Sequence, residues 1–507
     1  MAMSEKVKLQ EEVKQLRRQL SDAHHQIFLL REKIEQMAQR LFGKKSEQLS
    51  KEQMELLLSG LSDPLQEAKE KEEPEPLPLE RPRRRPSPKR VKTPENLEVK
   101  REVIIPELVQ ADPENWKCIG EESSRRLDYL PGHFFWLETI RPKYVRKDQR
   151  QLPPLVAPAK PQVVDHGLVA PGLLAQLLVS RFSDHLPYYR QEQIFWQRHQ
   201  VHIPRQQMVQ WVEQSVGLLR GITDCLKKQL QRSPYVQLDE TPIKYQDPAR
   251  EGSCGQGYLW TAFIPKELVY YQWHSSRAGR CVESLMGEDY SGKIQCDGYS
   301  GYRAYASNRP GVELFGCWAH LRRGFFQSKE QAPRVAGWIL NQIGWLYYWE
   351  NLLRQSRAGP LERMVFRSQH SRMVVERLER ILRKLKSRYL PQSGMGQAIS
   401  YALNQWPTLE KYLDHGEVEI DNNLVENSIR PTAVGKKNWL FMGSDEAGER
   451  NAVIYTLVEN CRMHGIEPYT YLKDVLERLP TATNHTIEEL TPLNWQKNRQ
   501  KPVEAAA

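Results

Sequence analysis

The amino-acid sequence predicts a multi-domain protein that combines α+β and α/β architecture. Three patterns support this prediction: an apolar repeat of coiled-coil spacing near the start of the chain, a β-β-β-α-β order of elements around residues 236–297, and an almost wholly helical stretch over residues 326–416. A chain of 507 residues is long enough to hold several packed domains. We therefore expect each pattern to belong to a separate domain or segment.

Composition argues against a membrane protein and against a disulfide-rich scaffold. Hydrophobic residues make up 39% of the chain, which is enough for packed cores. No apolar run reaches the ~18 residues that a membrane-spanning helix needs, and MAMSEKVKLQEE lacks the apolar stretch of a signal peptide. The seven cysteines include no C-x-x-C pair, which predicts reduced thiols. We expect a cytoplasmic protein with no membrane partner.

The chain is basic, with a formal net charge of +10 and a pI near 9.1. This balance favours a polyanionic partner such as nucleic acid, although many basic proteins bind none. Charge alone therefore leaves nucleic-acid binding open.

Residues 1–62 are predicted to form a coiled-coil oligomerisation segment. Apolar residues recur at alternating spacings of four and three, with mostly Lys, Glu, Gln and Arg between them. This stripe is narrower than a helix packed on its own protein's core would show, so we expect self-association, most simply as a dimer. The seam consists of Leu9, Val13, Leu16, Leu20, Ala23, Ile27, Leu30, Ile34, Met37 and Leu41.

Two further segments follow the predicted coiled coil. Residues 63–100 form a charged, proline-rich linker, whose basic half RPRRRPSPKRVK can contact DNA phosphates or remain solvated. Residues 101–160 are predicted to form a small β-rich unit, with REVIIPEL and FFWLETIRPKYVRK as strand-like runs.

Residues 161–232 are predicted to form a helix-turn-helix-like DNA-binding region. APGLLAQLLVSRF, PYYRQEQIFWQRH and IPRQQMVQWVEQSVGLLRGI are predicted helices with turn residues between them. A recognition helix contacts base edges with residues near its start, where the third helix carries Arg205, Gln206, Gln207 and Gln210. A plain helical bundle is the alternative.

The run VQLDE at 236–240 ends in two carboxylates, although a buried strand has no packing use for Asp239. The run IQCD at 294–297 has the same pattern, with apolar first and third residues, Gln second and Asp fourth. Asp239 and Asp297 are therefore predicted at matching strand ends, where parallel neighbouring strands would bring their carboxylates together. Hard oxygen ligands of this kind suit Mg²⁺ or Mn²⁺, and a cation relieves the repulsion between the two charges.

The β-β-β-α-β order is that of a ribonuclease-H-like core, in which the first and fourth strands are neighbours. We predict this core at residues 233–325 and 417–480, with a helical insertion at 326–416 and a tail at 481–507. A third carboxylate is expected from a later helix, and the stretch 419–444 offers one.

The ordered motifs LDET, CDGYSGY, GCWAHLRRGFF, IDNNLVENSIRP and GKKNWLFMGS resemble the DDE transposases of the bacterial insertion-sequence sixty-six family. The similarity extends from the coiled coil to about Pro480. It implies a metal-dependent DNA strand transferase, with Asp239, Asp297 and Glu426 at the three catalytic carboxylate positions. Such an enzyme would use two Mg²⁺ or Mn²⁺ ions. Its DNA partners would be the terminal inverted repeats of the element and the target DNA, and the protein would be nucleoid-associated when it is bound to them. Accessory element-encoded proteins would be further partners if the element needs them.

Glu426 has a structural alternative, because Asn423-x-x-Glu426 is also spaced as a helix-capping box. Glu240 is a rival for the third carboxylate because it adjoins Asp239. Adjacent strand residues point to opposite faces, so we expect Glu240 to lie outside the cluster.

Several groups near these motifs are candidates for DNA contacts, although each can equally be a surface or core residue. Trp439 is a candidate for base stacking, but the run NWLF is also typical of a core strand. Cys317-x-x-His320 lacks a second ligand pair, so packing or phosphate positioning is favoured over zinc. The remaining candidates are His320, Arg322, Arg323, Arg430, Lys436 and Lys437.

The family usually carries a cysteine-rich zinc unit before the helix-turn-helix, and this chain departs from that pattern. Cys118 stands alone there, with Val145 and Arg146 where cysteine is expected nearby, so we expect no zinc. Two other functions stay open: a DNA-binding regulator or inactive relic, and a ribonuclease-H-like nuclease that cuts without joining. The complete carboxylate triad argues against the first, and the predicted coiled coil, which would pair two DNA ends, argues against the second.

Overall fold

The structure is a computed structural model that describes residues 97–130, 132–148, 153–164, 167–249 and 253–500. The predicted coiled coil at 1–62, nearly all of the linker at 63–100 and the end of the tail lie outside these residues. The described chain forms two compact units, of which one contains residues 97–317 and 418–500 and the other contains residues 318–417. No helix among the described residues is both long enough and apolar enough to cross a membrane.

The first unit begins with a small β-sheet. Its order is β1-β3-β2, with β1 parallel and β2 antiparallel to β3, and β4 also pairs with β3. Gly132 follows β2 with a φ of 108°, a left-handed conformation that glycine adopts without strain. Cys118 is exposed on β2 and pairs in register with Tyr144. The elements are β1 Val99–Val103, α1 Glu107–Ala111, β2 Trp116–Leu130, β3 His133–Arg146 and β4 Leu155–Val156.

Three helices follow, and all three were predicted from the sequence. They are α2 Pro171–Phe182, α3 Tyr188–His199 and α4 Arg205–Gln231. Proline at the first position of α2 supplies a preset φ and removes an amide that would lack a helical partner. α4 runs nine residues beyond the predicted end at Ile222, because Leu226 and Leu230 continue its buried face.

A five-stranded sheet forms the centre of the first unit. Its order is β7-β6-β5-β8-β9, in which β5, β6 and β7 are antiparallel neighbours and β5, β8 and β9 are parallel neighbours. The predicted β-β-β-α-β order and the contact between the first and fourth strands are therefore confirmed. The elements are β5 Tyr235–Gln246, β6 Cys254–Ile264, β7 Leu268–His274, α5 Arg280–Met286, β8 Gly292–Gln295, α6 Ser300–Ser307 and β9 Val312–Phe315.

Helices from the end of the chain complete this unit. They are α12 Asn423–Trp439, α13 Asp445–Met463, α14 Pro468–Arg478 and α15 Pro492–Gln500. The edge strand β7 is covered by α13, whose side chains accept the free strand amides: Val269 N–H donates to Asn460 Oδ1 at 3.1 Å and Tyr271 N–H donates to Thr456 Oγ1 at 3.0 Å. This cover prevents the edge from pairing with another strand.

The second unit is helical, as predicted for most of this stretch. The indole of Trp318 is fully buried, donates to the carbonyl of Leu409 at 3.0 Å and packs edge-on against Trp406. Arg367 and Glu350 form a fully buried ion pair within the unit. The helices are α7 Trp318–Gln327, α8 Pro333–Gln355, α9 Pro360–Phe366, α10 Arg372–Leu385 and α11 Gly394–Leu409.

Candidate active site

Strands β5 and β8 bring the two predicted aspartates to the same level of the five-stranded sheet, where β8 ends. The strands are parallel, and their register pairs Gln237 with Gln295. Asp239 and Asp297 each follow their glutamine by two residues, so they continue at the same level beyond the last paired residues. The predicted strand end is wrong for Asp239, because β5 continues to Gln246 and Asp239 pairs with Thr261 of β6, whereas Asp297 lies two residues beyond the end of β8. The parallel pairing of VQLD with IQCD, which was predicted from their shared pattern, is confirmed.

Burial and nearby carboxylates raise the pKa of Asp239. Burial raises the pKa of Asp239 well above its ordinary value, and the negative charge of Glu240 raises it further. The charges of Asp297 and Glu426 act in the same direction. The backbone N–H of Glu240 donates to Asp239 Oδ1 at 2.9 Å and opposes this rise in part. The predicted carboxylates therefore lie close enough for their charges to interact, and a divalent cation among them would relieve the repulsion.

Two fully buried glutamines connect the aspartate-bearing strands to each other. Gln237 Nε2 donates to Gln295 Oε1 at 3.0 Å. The hydroxyl of Tyr235 donates to the same Gln295 oxygen at 2.5 Å. A buried amide without a hydrogen-bond partner would destabilise the folded protein. This network therefore holds the side chains of Tyr235, Gln237 and Gln295 in place.

The same glutamines also hold the segment that leads into α12. Gln295 Nε2 donates to the carbonyl of Glu419 at 2.7 Å, and Gln237 Nε2 donates to the carbonyl of Asp421 at 3.1 Å. In return, the N–H of Val425 donates to Gln237 Oε1 at 3.3 Å. The chain before and within the first turn of α12 is therefore anchored to the two strands that carry the aspartates.

Glu426 lies in the first turn of α12, next to this anchored segment. The helix begins after Asn422, whose carbonyl accepts the N–H of Glu426 at 3.2 Å. Val425, and not Glu426, therefore stands three residues after the capping position, so the capping-box alternative does not fit this helix. Asp421 serves the start of the helix instead, because its carboxylate accepts both the backbone N–H and the side-chain amide of Asn423.

The carboxylate of Glu240 is engaged by two other side chains. Arg277 Nε donates to it at 2.7 Å, and the hydroxyl of Tyr302 donates to its second oxygen. Burial raises the pKa of Glu240, and the charge of Asp297 adds to the rise. Strand alternation thus turns Glu240 toward its own partners, but its charge still reaches Asp239 and Asp297.

Arg277 connects Glu240 to the loop of Asp297. Its guanidinium lies 4.0 Å from the ring centroid of Tyr299, and the N–H of Tyr299 donates to Asp297 Oδ1 at 2.8 Å. The Arg277 side chain remains 40% exposed, so the cation is open to solvent beside the carboxylates. Sequence reasoning missed Arg277, Gln237 and Gln295; the only signal was the shared Gln in VQLD and IQCD.

The predicted recognition residues lie on the first turns of α4. Arg205, Gln206 and Gln210 are exposed, whereas Gln207 is half-buried and donates to Gln210 Oε1 at 3.4 Å. These residues are therefore available to a partner, as a recognition helix would require.

The three cations on α12 lie on its solvent side or near it. Arg430 follows Glu426 by one helical turn and is exposed, as is Lys437. Lys436 is half-buried, and its Nζ donates to the carbonyl of Pro242 at 3.3 Å.

Trp439 is not available for base stacking in this structure. It is the last residue of α12 and only 8% exposed, and the guanidinium of Arg181 lies 5.5 Å from its ring centroid. The strand expected for NWLF is also wrong, because α12 continues through Trp439 before the chain turns at Leu440, where φ is 66°. Packing of the indole against the first unit's core accounts for both differences.

His320, Arg322 and Arg323 lie on α7 in the second unit. His320 is half-buried, and the two arginines are exposed. The guanidinium of Arg322 lies 5.9 Å from the ring centroid of Phe326, one turn along the helix.

Comparisons with known proteins agree with the motifs. Residues 166–450 match the family described as Transposase IS66 family, residues 456–493 match the IS66 C-terminal element, and residues 29–101 match the description Transposase C of IS166 homeodomain.

Three proteins of Sinorhizobium fredii, each named as uncharacterized, are similar over most of their length. Protein y4qI is 32% identical over 79% of this chain and 76% of its own, and y4jD is 32% identical over 75% and 76%. Protein y4hP is 26% identical over 95% of this chain and 91% of its own.

Proposed function

Because the chain belongs to the IS66 family of transposases, we propose that it binds the ends of its own insertion element and catalyses metal-dependent DNA cleavage and strand transfer. The single observation that carries the chemistry is that the charges of both Asp297 and Glu426 act on the buried carboxylate of Asp239, beside the paired strands β5 and β8. The strand order, with the first and fourth strands adjacent, supports a ribonuclease-H-like catalytic core.

The donor set fits Mg²⁺ or Mn²⁺, because all three groups are carboxylates and burial places Asp239 where its charged form is unfavourable without a cation. Asp239, Asp297 and Glu426 would hold the metal, and we expect two ions. Bound divalent ions would activate a water or a 3′-hydroxyl and stabilise the leaving oxygen of a phosphodiester.

The protein itself positions the chain segments that carry the three carboxylates. The glutamine pair holds the backbone that leads to Glu426 against β5 and β8, so this segment is positioned beside the aspartates before substrate arrives. Arg277 and Arg430 present positive charge near these groups, where a DNA phosphate is the expected partner.

DNA recognition is proposed for the helical region α2–α4, as a helix-turn-helix-like module. Support comes from the exposed Arg205, Gln206 and Gln210 at the start of α4. Terminal inverted repeats and target DNA would be the nucleic-acid partners. Self-association through residues 1–62 would bring two ends together, and accessory element-encoded proteins are further candidates for partners.

The test is a joining assay with the full-length protein, DNA carrying the ends that flank its own gene, and Mg²⁺, followed by sequencing of all products. Joined products that disappear when Mg²⁺ is chelated support the proposal. Products that are cut but never joined would make the protein a nuclease. Specific binding without either reaction would make it a regulator or an inactive relic.

A further inference from the structure

Helix α8 of the second unit exposes a continuous apolar face to solvent. Trp345, Tyr348 and Leu352 are 48%, 58% and 44% exposed, and Trp349 is half-buried beside them. These four residues, the aromatic face, recur at the spacing that places side chains on one side of a helix. The opposite side of α8 is buried and also largely apolar. A continuous stripe of large apolar side chains is normally enclosed, so the exposed aromatic face is suited to a partner.

Further aromatic and apolar side chains lie beside the aromatic face, on α9, on α10 and between these helices. The ring of Trp349 lies 6.5 Å from that of Phe366 and 6.0 Å from that of His370, and the last two rings are 4.3 Å apart. Met373, at the start of α10, is 60% exposed and extends the surface.

A buried ion pair holds these helices in place. Arg367 Nε and Nη2 donate to the two oxygens of Glu350 at 2.7 and 2.8 Å. Its Nη1 donates to the carbonyls of Tyr412 and His415. Glu350 adjoins Trp349 and Arg367 adjoins Phe366, so the pair fixes the rings before any partner binds.

The unit that carries the aromatic face is strongly basic. Residues 318–417 contain 16 lysines and arginines and 8 acidic residues, a net charge of +8 out of +10 for the chain. Along α10, the exposed residues Arg377, Arg380 and Lys384 continue the line of Met373 at helical spacing. We call them the basic stripe. The basic stripe begins at Arg377, one helical turn beyond Met373.

We propose that the aromatic face and the basic stripe together bind unpaired DNA. Unstacked bases would lie on the exposed rings of Trp345 and Tyr348, and the phosphates would follow the basic stripe. Aromatic platforms beside cations are the combination that binds single strands with little sequence preference, because every base has a π-face. Bases inside an intact duplex are already stacked, so the surface should prefer unpaired segments.

Charge complementarity selects DNA over the other occupants of such a surface. A second copy would bring two units of net charge +8 together, which opposes a contact between identical surfaces. An apolar protein helix would cover the rings but leave the basic stripe without counter-charges. The inference rests on the proposed function for its choice of DNA as partner, and it adds the strandedness of that DNA and the residues that contact it.

The test measures binding of the full-length protein, with metal chelated so that no reaction occurs. The probes are a blunt duplex and the same duplex with a short unpaired tail that carries the fluorescent base 2-aminopurine. The double variant Trp345→Leu with Tyr348→Leu keeps apolar side chains but removes both rings. The double variant Trp345→Phe with Tyr348→Phe keeps a ring at each site. Phe326→Leu, at a 57% exposed ring on α7, is the matched control.

We expect the leucine variant to bind the tailed DNA roughly tenfold more weakly or worse, and to lose the fluorescence change of the tail. Its affinity for the blunt duplex should not change, and the phenylalanine variant and Phe326→Leu should bind the tail nearly as the native chain does. Equal affinity of all variants for the tail would overturn the proposal. So would an altered sedimentation of the DNA-free leucine variant, since the face would then be a protein interface. Because binding is read without catalysis, a failure of strand transfer leaves this result intact.

Discussion

The side chain of Gln237 donates to that of Gln295 at 3.0 Å, between the strand that contains Asp239 and the strand that precedes Asp297. Each glutamine also donates to a backbone carbonyl of the segment that leads to Glu426. One pair of buried amides thus joins the three chain segments of the candidate site. Gln237 and Gln295 are paired in register, which explains why VQLD and IQCD share a glutamine at their second position.

Replacing Gln237 with leucine should therefore loosen the anchored segment. The change keeps the volume but leaves the carbonyl of Asp421 and the N–H of Val425 without this partner. Losing a buried partner costs roughly 1–3 kcal/mol, so the melting temperature of the full-length protein should fall by several degrees. Binding of Mn²⁺, followed by electron paramagnetic resonance, should weaken as well. Gln256→Leu at an exposed position of β6 is the control, and equal effects of both variants would contradict this role.

The pair of Arg277 and Glu240 should show a measurable coupling. The Glu240 side chain is only 2% exposed, whereas that of Arg277 is 40% exposed, so solvent screens the interaction in part. Arg277→Gln leaves a buried carboxylate without its cation, and we expect a destabilisation of about 1–2 kcal/mol. Glu240→Gln in addition should recover part of that loss, as a double-mutant cycle of denaturation measurements would record. Strictly additive effects of the two changes would show that the contact contributes no stability.

Glu459 on α13 should make the protein less stable as pH rises. Burial raises its pKa from 4.5 to about 7, and Arg462 offsets the rise only in part. A raised carboxyl pKa favours the protonated form in the folded state, so this stabilisation is complete below the unfolded pKa and is lost as pH rises through about 7. Melting of Glu459→Gln and the native chain should diverge between about pH 4.5 and pH 8, by roughly 3 kcal/mol at most. Glu446→Gln, at an exposed helix start, is the control. A constant difference between Glu459→Gln and the native chain would refute this assignment.

The sequence predicted the candidate site better than it predicted the residues that support it. Alternation and a repeated pattern sufficed to pair the run that contains Asp239 with the run that contains Asp297, because strand periodicity is local and the register follows from it. They did not show that β5 continues past Asp239. Glu426 required the family resemblance, since it lies about 130 residues beyond Asp297. Gln237, Gln295 and Arg277 act through contacts between distant segments. The shared Gln of VQLD and IQCD was a local signal, but it did not reveal those contacts.

For Trp439, the sequence suggested a DNA contact that the structure does not support. The sequence shows an aromatic residue near basic ones but does not state whether it is buried, and Arg181 and the first unit's core enclose it. Exposed rings occur instead on α8, which was predicted only as part of a helical insertion. Which side of such a helix is covered depends on tertiary packing, so the aromatic face could not be derived from the sequence.

The predicted coiled coil lies outside the described residues and stays a prediction. Charges introduced at two seam positions, Leu20→Asp and Ile27→Asp, should dissociate the full-length protein, because a buried carboxylate in the seam is strongly unfavourable. Sedimentation velocity measures the change. The control is Gln19→Asp, which introduces the same charge at a polar position between seam residues. An unchanged sedimentation coefficient of the seam variant would contradict association through this segment.

Strand transfer by Glu426→Gln is the decisive measurement for the proposed carboxylate triad. The substitution keeps the size of the side chain and removes its charge, and Asp421 already serves the helix start, so the fold should survive. We predict normal binding of element ends and a loss of Mg²⁺-dependent joining by orders of magnitude. Glu449→Gln, which removes a surface partner of Arg220, should join DNA normally. Near-native joining by Glu426→Gln, together with an inactive Glu240→Gln, would contradict the assignment of the third carboxylate.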